Sequence, residues 1–241
     1  MEKPNGEEYG WLAVPRDRSN VPSTETAKTR CVIIDLGTIW PDTDLVRKAR
    51  DHAKQKLPLE TYNHSIRVFC YGQTIVEQHF PHWIFTEDAR SSFFETWALT
   101  CLFHDIGTTP ENRLSTHMSF EFQGGFIALQ QLQSFGAPQA QAESVAEAII
   151  RHQDPGKSGT ISRMGQLVQL ATEFDNMGWQ PHLIHEKVIE QVVDRLPRMK
   201  WSTCFAKTIG EEIEEKPWCH TTALEGFRDA VLNNKLMEPY D

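Results

Sequence analysis

Apolar residues recur at helical spacing along most of this chain, beginning near residue 42. Asp42 or Asp44 is placed to cap a helix running through about Lys56. Pro58 stops it, because proline brings no N–H and a fixed φ. Leu59 to His79 carries Ile66, Phe69, Cys70, Ile75 and Val76 on one stripe. Phe93 to His104 predicts a further helix, and Phe120 to Phe135 another, ended by Gly136. Pro138 opens the next, through Val145, Ala146, Ile149 and Ile150 to His152. Gly165 to Met177 turns Leu167, Leu170, Ala171 and Phe174 inward, and Glu186 to Leu196 and Thr222 to Asn233 complete the series. No strand–helix–strand alternation and no internal repeat interrupts this pattern. The fold class it predicts is all-α, a globular helical bundle formed by residues 41–241 as one domain.

Residues 1–40 read differently, as an N-terminal arm. Pro4, Pro15 and Pro22 and many polar residues make most of 1–30 irregular. Within it, Trp11-Leu12-Ala13-Val14 is an apolar piece suited to docking on the body, and Cys31 to Leu36 reads as a short extended segment.

Composition narrows the partners. The 241 residues include 39% hydrophobic positions, adequate for a core. The formal net charge of −9 speaks against a general nucleic-acid or anionic-membrane binder and leaves room for a locally basic pocket. Cys31, Cys70, Cys101, Cys204 and Cys219 are odd in number and widely spaced, so no disulfide framework is signalled. The N-terminus has no basic segment followed by an apolar run, and no stretch of about 20 apolar residues offers a membrane span. These features predict a cytoplasmic protein. Trp11, Trp83 and Trp201, read as exposed aromatics, make a homo-oligomer compatible with the sequence.

The candidate chemistry lies in Leu102-Phe103-His104-Asp105-Ile106, where an imidazole and a carboxylate end an apolar helix. A charge in that setting needs a partner. His64 and Asp175 stand in similar surroundings on other predicted helices. Taken singly, His64 reads as a hydrogen-bonded core histidine and Asp175 as a salt-bridge residue. Together with His104 and Asp105 they form a nitrogen and oxygen ligand set that suits zinc, iron, manganese or nickel, with room for water.

The order of these residues, His, then His-Asp, then Asp, resembles the signature of the HD superfamily of helical metal-dependent hydrolases. Longer blocks narrow the likeness: Glu60-Thr61-Tyr62-Asn63-His64-Ser65-Ile66-Arg67, Thr96-Trp97-Ala98-Leu99-Thr100-Cys101-Leu102-Phe103-His104-Asp105-Ile106-Gly107-Thr108, Ala146 to His152, Met118-Ser119-Phe120, and Lys216-Pro217-Trp218-Cys219-His220-Thr221-Thr222 resemble the fungal cyanamide hydratases. The resemblance runs from about residue 57 to 222. It implies a zinc-dependent lyase that adds water to cyanamide to give urea, in nitrogen assimilation or detoxification. It implies His64, His104, Asp105 and Asp175 as metal ligands. Two departures from the wider superfamily separate the chain from its phosphohydrolases. Thr108 stands where many carry a phosphate-binding Lys, and Ser119 to Gly124 lacks the histidine that opens the following helix in two-metal members, although His117 lies just upstream. An HD-type phosphohydrolase of nucleotides or phosphoesters, a metal-retaining binding protein, and a hydratase of another small nitrile or isonitrile are the alternatives.

On the hydratase reading, hydroxide generated on the metal attacks the nitrile carbon, and the nitrile nitrogen needs a proton. His152 is the expected proton-handling residue, with Asp105 orienting the water. Thr108 and Asn176 neighbour the ligands and are candidate substrate contacts, although both also suit helix-end capping. Arg67 lies on nearly the same helix face as His64 and is placed to pair with a motif carboxylate. His220 reads as an anchor for the C-terminal segment. Glu211 to Lys216 reads as a solvated helix end.

Overall fold

Ten α-helices carry nearly all the regular structure in the computed structural model, which describes residues 6–84 and 86–241. Helix α1 (Asp44–Lys56) starts where the Thr43 side chain accepts from Val46 N, and ends at Leu57 in extended backbone before Pro58. Helix α2 (Leu59–His79) is the central element, burying both polar and apolar residues along its length. Helix α3 (Glu87–Phe103) begins six residues before Phe93, because Thr86 accepts from Ala89 N and sets the cap there. Its Trp97 donates to Phe69 O on α2, and a Cβ at Gly72 would lie 2.1 Å from the Trp97 ring. Only glycine permits that approach of α3 to α2.

The short helix α4 (Pro110–Leu114) follows the His-Asp motif, and α5 (Phe120–Phe135) ends at Gly136 with φ 96°. Helices α6 (Gln139–Arg151), α7 (Arg163–Met177) and α8 (Glu186–Arg195) match the predicted apolar runs closely. Helix α9 (Trp201–Glu215) was not expected from the sequence, and the predicted Thr222–Asn233 helix is broken. Residues His220–Ala223 form a 3-10 turn, Gly226 takes φ 70°, and only α10 (Phe227–Leu232) is α-helical. One hydrophobic core joins α1 to α3 with α5 to α8, and a smaller cluster of Trp201, Phe205, Ala206, Ile209 and Val231 seats α9 on α10.

The arm is more ordered than its composition predicts. Strand β1 (Ala13–Pro15) pairs antiparallel with β2 (Thr160–Ser162), setting Val14 opposite Ile161. Trp11 Nε1 donates to Ala140 O, so the apolar piece docks as expected. Cys31 to Leu36 has no ladder partner and forms no strand. The Gln191 amide serves its backbone instead, accepting from Ile34 N and donating to Val32 O. Trp83 and Trp201 are buried at 4% and 1% exposure, contrary to their reading as exposed aromatics, while Trp11 is 37% exposed. No helix among the described residues is long and apolar enough to cross a membrane.

Candidate metal centre

Helix α2 delivers His64, and the end of α3 delivers His104 and Asp105, all essentially out of contact with solvent. Gly107 makes the turn after the motif possible. A Cβ there would sit 2.0 Å from Phe120 O, so this turn and the start of α5 touch backbone to backbone.

Each histidine is held in one tautomer. His104 Nδ1 lies 2.8 Å from Cys101 O, a pure acceptor, so Nδ1 carries the proton. His64 Nδ1 lies 2.6 Å from Asp175 Oδ2 and donates to it. In the neutral rings both Nε2 atoms are therefore lone pairs, and they lie 3.2 Å apart. Asp105 Oδ2 joins them at 3.3 Å from His104 Nε2 and 3.6 Å from His64 Nε2. Neither Asp105 oxygen has a hydrogen-bond partner among the described residues. Burial opposes ionisation of this carboxyl, and positive charge on His104 when that ring is protonated holds it below the usual carboxylate range. Burial pushes His64 down to about 4, which favours the neutral ligand form.

Two lone pairs and a carboxylate converging in a dry interior repel one another unless a cation sits among them. Two imidazole nitrogens and a carboxylate oxygen within 3.6 Å of one another are a donor set that fits a divalent metal.

The sequence reading grouped Asp175 with the ligands. Its ligand atoms do not join the cluster formed by His64, His104 and Asp105. Its carboxylate lies behind the His64 ring, on Nδ1, and is filled by other partners. Arg67 donates to it through Nε at 3.1 Å and Nη2 at 2.9 Å, and Arg198 through Nη1 at 2.8 Å. Burial works against its charge, and the two guanidinium groups overcome that and hold it ionised. Asp241 closes the chain of charges on Arg198 Nε at 2.9 Å. Arg67 thus meets a carboxylate, as its position on α2 predicts.

His152 ends α6 with its ring centroid 5.6 Å from that of His104. Its Nδ1 donates to Ile149 O at 2.6 Å, leaving Nε2 as a base. Burial, and next the neighbouring His104, push its pKa down and keep it neutral. His152 and Asn176 line a cavity of about 160 Å³. Asn176 Oδ1 accepts from Trp201 Nε1 at 2.7 Å, which leaves its amide nitrogen available to a ligand. Trp201 stacks on His64 with centroids 4.3 Å apart. Thr108 is not on this cavity. Its hydroxyl donates to Asp105 O at 2.7 Å, and it lines a separate crevice with Phe120 and Phe205.

Two further side-chain readings change. Glu212 and Lys216 belong to the predicted solvated charge run but are 1% and 3% exposed. Glu212 accepts from Phe120 N and Thr221 Oγ1, and Lys216 donates to Met118 O. His220 bonds Glu121 Oε1 through Nδ1 at 2.8 Å and anchors the C-terminal segment on α5. His117 is exposed and stands beside Trp218, away from the ligand trio. Arg198, Trp201 and Gln153 were missed by sequence reasoning. Trp201 had a usable signal, since it, Phe205, Ala206 and Ile209 share one helical stripe. Arg198 and Gln153 lie beyond helix ends and carry no periodic signal.

Comparison with known proteins places this geometry in a family. The HD domain profile matches residues 61–199. Cyanamide hydratases DDI2 and DDI3 of Saccharomyces cerevisiae are each 35% identical to the chain over 230 residues, covering 94% of it and 97% of their own length.

Proposed function

The chain belongs to the cyanamide hydratase family of HD domain proteins, and from that premise we propose that it adds water to the nitrile carbon of cyanamide to form urea. The observation that carries the reading is the meeting of two imidazole lone pairs and an unpartnered carboxylate beside a neutral histidine on a cavity. His64, His104 and Asp105 would hold the metal, which we take to be zinc. A divalent metal in this position supplies an activated water at neutral pH and polarises the nitrile.

The protein groups do the rest. Asp175, fixed by Arg67 and Arg198, keeps the proton on His64 Nδ1 and so keeps Nε2 aimed at the metal. His152 Nε2 takes a proton from the attacking water and returns it to the nitrile nitrogen, its Nδ1–H held by Ile149 O throughout. The Asn176 amide donates to the substrate from the cavity wall. Thr108 closes the turn after Asp105 through its hydroxyl and lies off the cavity that holds His152 and Asn176. The addition releases no leaving group, so it asks for no cation clamp.

The phosphohydrolase alternative does ask for one. Among the described residues no Lys or Arg lines the cavity, and the buried Arg67 and Arg198 are committed to Asp175. The test is urea formation from cyanamide by the purified chain, with nucleoside monophosphates run alongside. Urea without phosphate release is expected, and phosphate release without urea would reverse the assignment.

A further inference from the structure

Four charged side chains stand behind the His64 ring, and their charges cancel. Asp175 receives Arg67 and Arg198, and Arg198 also donates through Nε to Asp241 Oδ1 at 2.9 Å. Both guanidinium groups and the Asp175 carboxylate are fully buried, while the Asp241 side chain is 21% exposed. Among the described residues neither arginine has another carboxylate partner. Arg67 directs its remaining contacts to Leu196 O and Pro197 O, and Arg198 to Asp175 O and Ser202 Oγ. Two positive and two negative side chains therefore make one neutral set.

Asp241 is brought to this set from late in the chain, and its place is built. Past α10 the backbone turns back onto the end of α7. Asn234 Nδ2 donates to Asp175 O at 3.0 Å, and Asn234 Oδ1 accepts from Met237 N at 3.1 Å. Gly178 has φ 67°, and a Cβ there would lie 2.6 Å from Asn234 Oδ1, so glycine permits the approach. The 3-10 turn Glu238–Tyr240 then delivers the Asp241 carboxylate to Arg198 and to Ser202 N, in the first turn of α9, at 3.3 Å.

The charge count matters because of what stands in front of His64. The ligand trio offers a divalent cation one carboxylate, that of Asp105. Without Asp241 the set behind His64 carries one net positive charge in a region closed to water, where charges act on one another more strongly than in solvent. That charge repels a dication. It also draws Asp175 toward Arg198 and away from His64 Nδ1–H. Both effects weaken the metal site.

We propose that Asp241 is a positioning residue of the metal centre. Its carboxylate neutralises Arg198, which leaves Asp175 to orient His64 and raises the affinity of the centre for zinc. The inference rests on the metal-binding reading of His64, His104 and Asp105. It does not depend on which compound the centre hydrates.

The test measures zinc affinity of the full chain by competition with a chromophoric chelator, together with denaturant unfolding of the chelated protein, for wild type, Asp241→Asn and Asp241→Glu. Asparagine keeps an acceptor for Ser202 N and removes only the charge. Asp241→Asn is expected to bind zinc about 3–30-fold more weakly than wild type, less than the about 10–100-fold lost with a partner that touches a ligand directly. Asp241→Glu restores the charge and is expected to bind zinc more tightly than Asp241→Asn. A loss below threefold in Asp241→Asn, whatever its unfolding stability, overturns the proposal and leaves Asp241 a tether for α9. An Asp241→Glu protein no tighter than Asp241→Asn overturns it as well. Failure of the hydratase reading would show separately, as zinc-loaded wild type that forms no urea.

Discussion

Replacing Asp175 with Asn separates a supporting carboxylate from a ligand. In the native chain its two oxygens receive His64 Nδ1 at 2.6 Å, Arg198 Nη1 at 2.8 Å and Arg67 Nη2 at 2.9 Å. An amide of the same shape keeps one acceptor and presents an N–H2 to donors on the other side. Arg67, fully buried, then has no counter-charge, and Arg198 keeps only Asp241. Removing one partner of a buried ion pair costs about 3–5 kcal/mol. Against a total stability of about 5–15 kcal/mol, the variant still folds but with a much reduced margin. His64 also loses the acceptor that fixes its tautomer, and loss of such an outer partner weakens metal binding about 10–100-fold. Denaturant unfolding of the chelated protein isolates the first effect. Zinc competition with a chromophoric chelator at a denaturant-free concentration isolates the second. Zinc affinity equal to wild type would refute the supporting role. Loss of more than about 1,000-fold, with unfolding stability changed by less than about 1 kcal/mol, would make Asp175 a ligand and refute the reading of its position.

Other consequences follow from the same geometry. His152→Gln should retain bound metal and lower kcat by about 10²–10⁴-fold, the usual contribution of a positioned acid–base group; a loss under threefold with metal content intact would remove His152 from the proton path. The hydrogen bond to Glu121 raises the His220 pKa, with burial opposing. A raised folded-state pKa means the pair stabilises fully below the ordinary histidine value, about 6.5, and less as pH rises through the raised value. The stability gap between wild type and His220→Ala should therefore be larger at pH 6 than at pH 9, and a gap that grows with pH would contradict the pairing.

Much of this arrangement was legible in the chain. The helices that carry the ligands have strong apolar stripes, so α2, α3 and α7 could be placed and His64, His104 and Asp105 set at comparable depth. What periodicity does not carry is the partner across space. Asp175 was recognised as a buried carboxylate, but nothing in its own segment tells whether it meets the metal side of His64 or the far side. Arg198, which decides the matter, lies beyond α8 with no pattern of its own. Glu212 and Lys216 look like solvated charges because their partners, Phe120 N and Met118 O, are backbone groups far away in sequence. That misreading also hid α9, whose apolar stripe ends in the same charged run. The three-residue strands β1 and β2 are too short to signal themselves and exist because the arm finds the loop before α7.

The most direct test of the centre is a metal titration of the chelated chain, following urea formation from cyanamide against equivalents of zinc, with His104→Ala in parallel. Activity should rise linearly and level at one zinc per chain, and the variant should form no urea at any ratio. Urea formation that needs no metal, or that survives undiminished in the variant, would contradict the account.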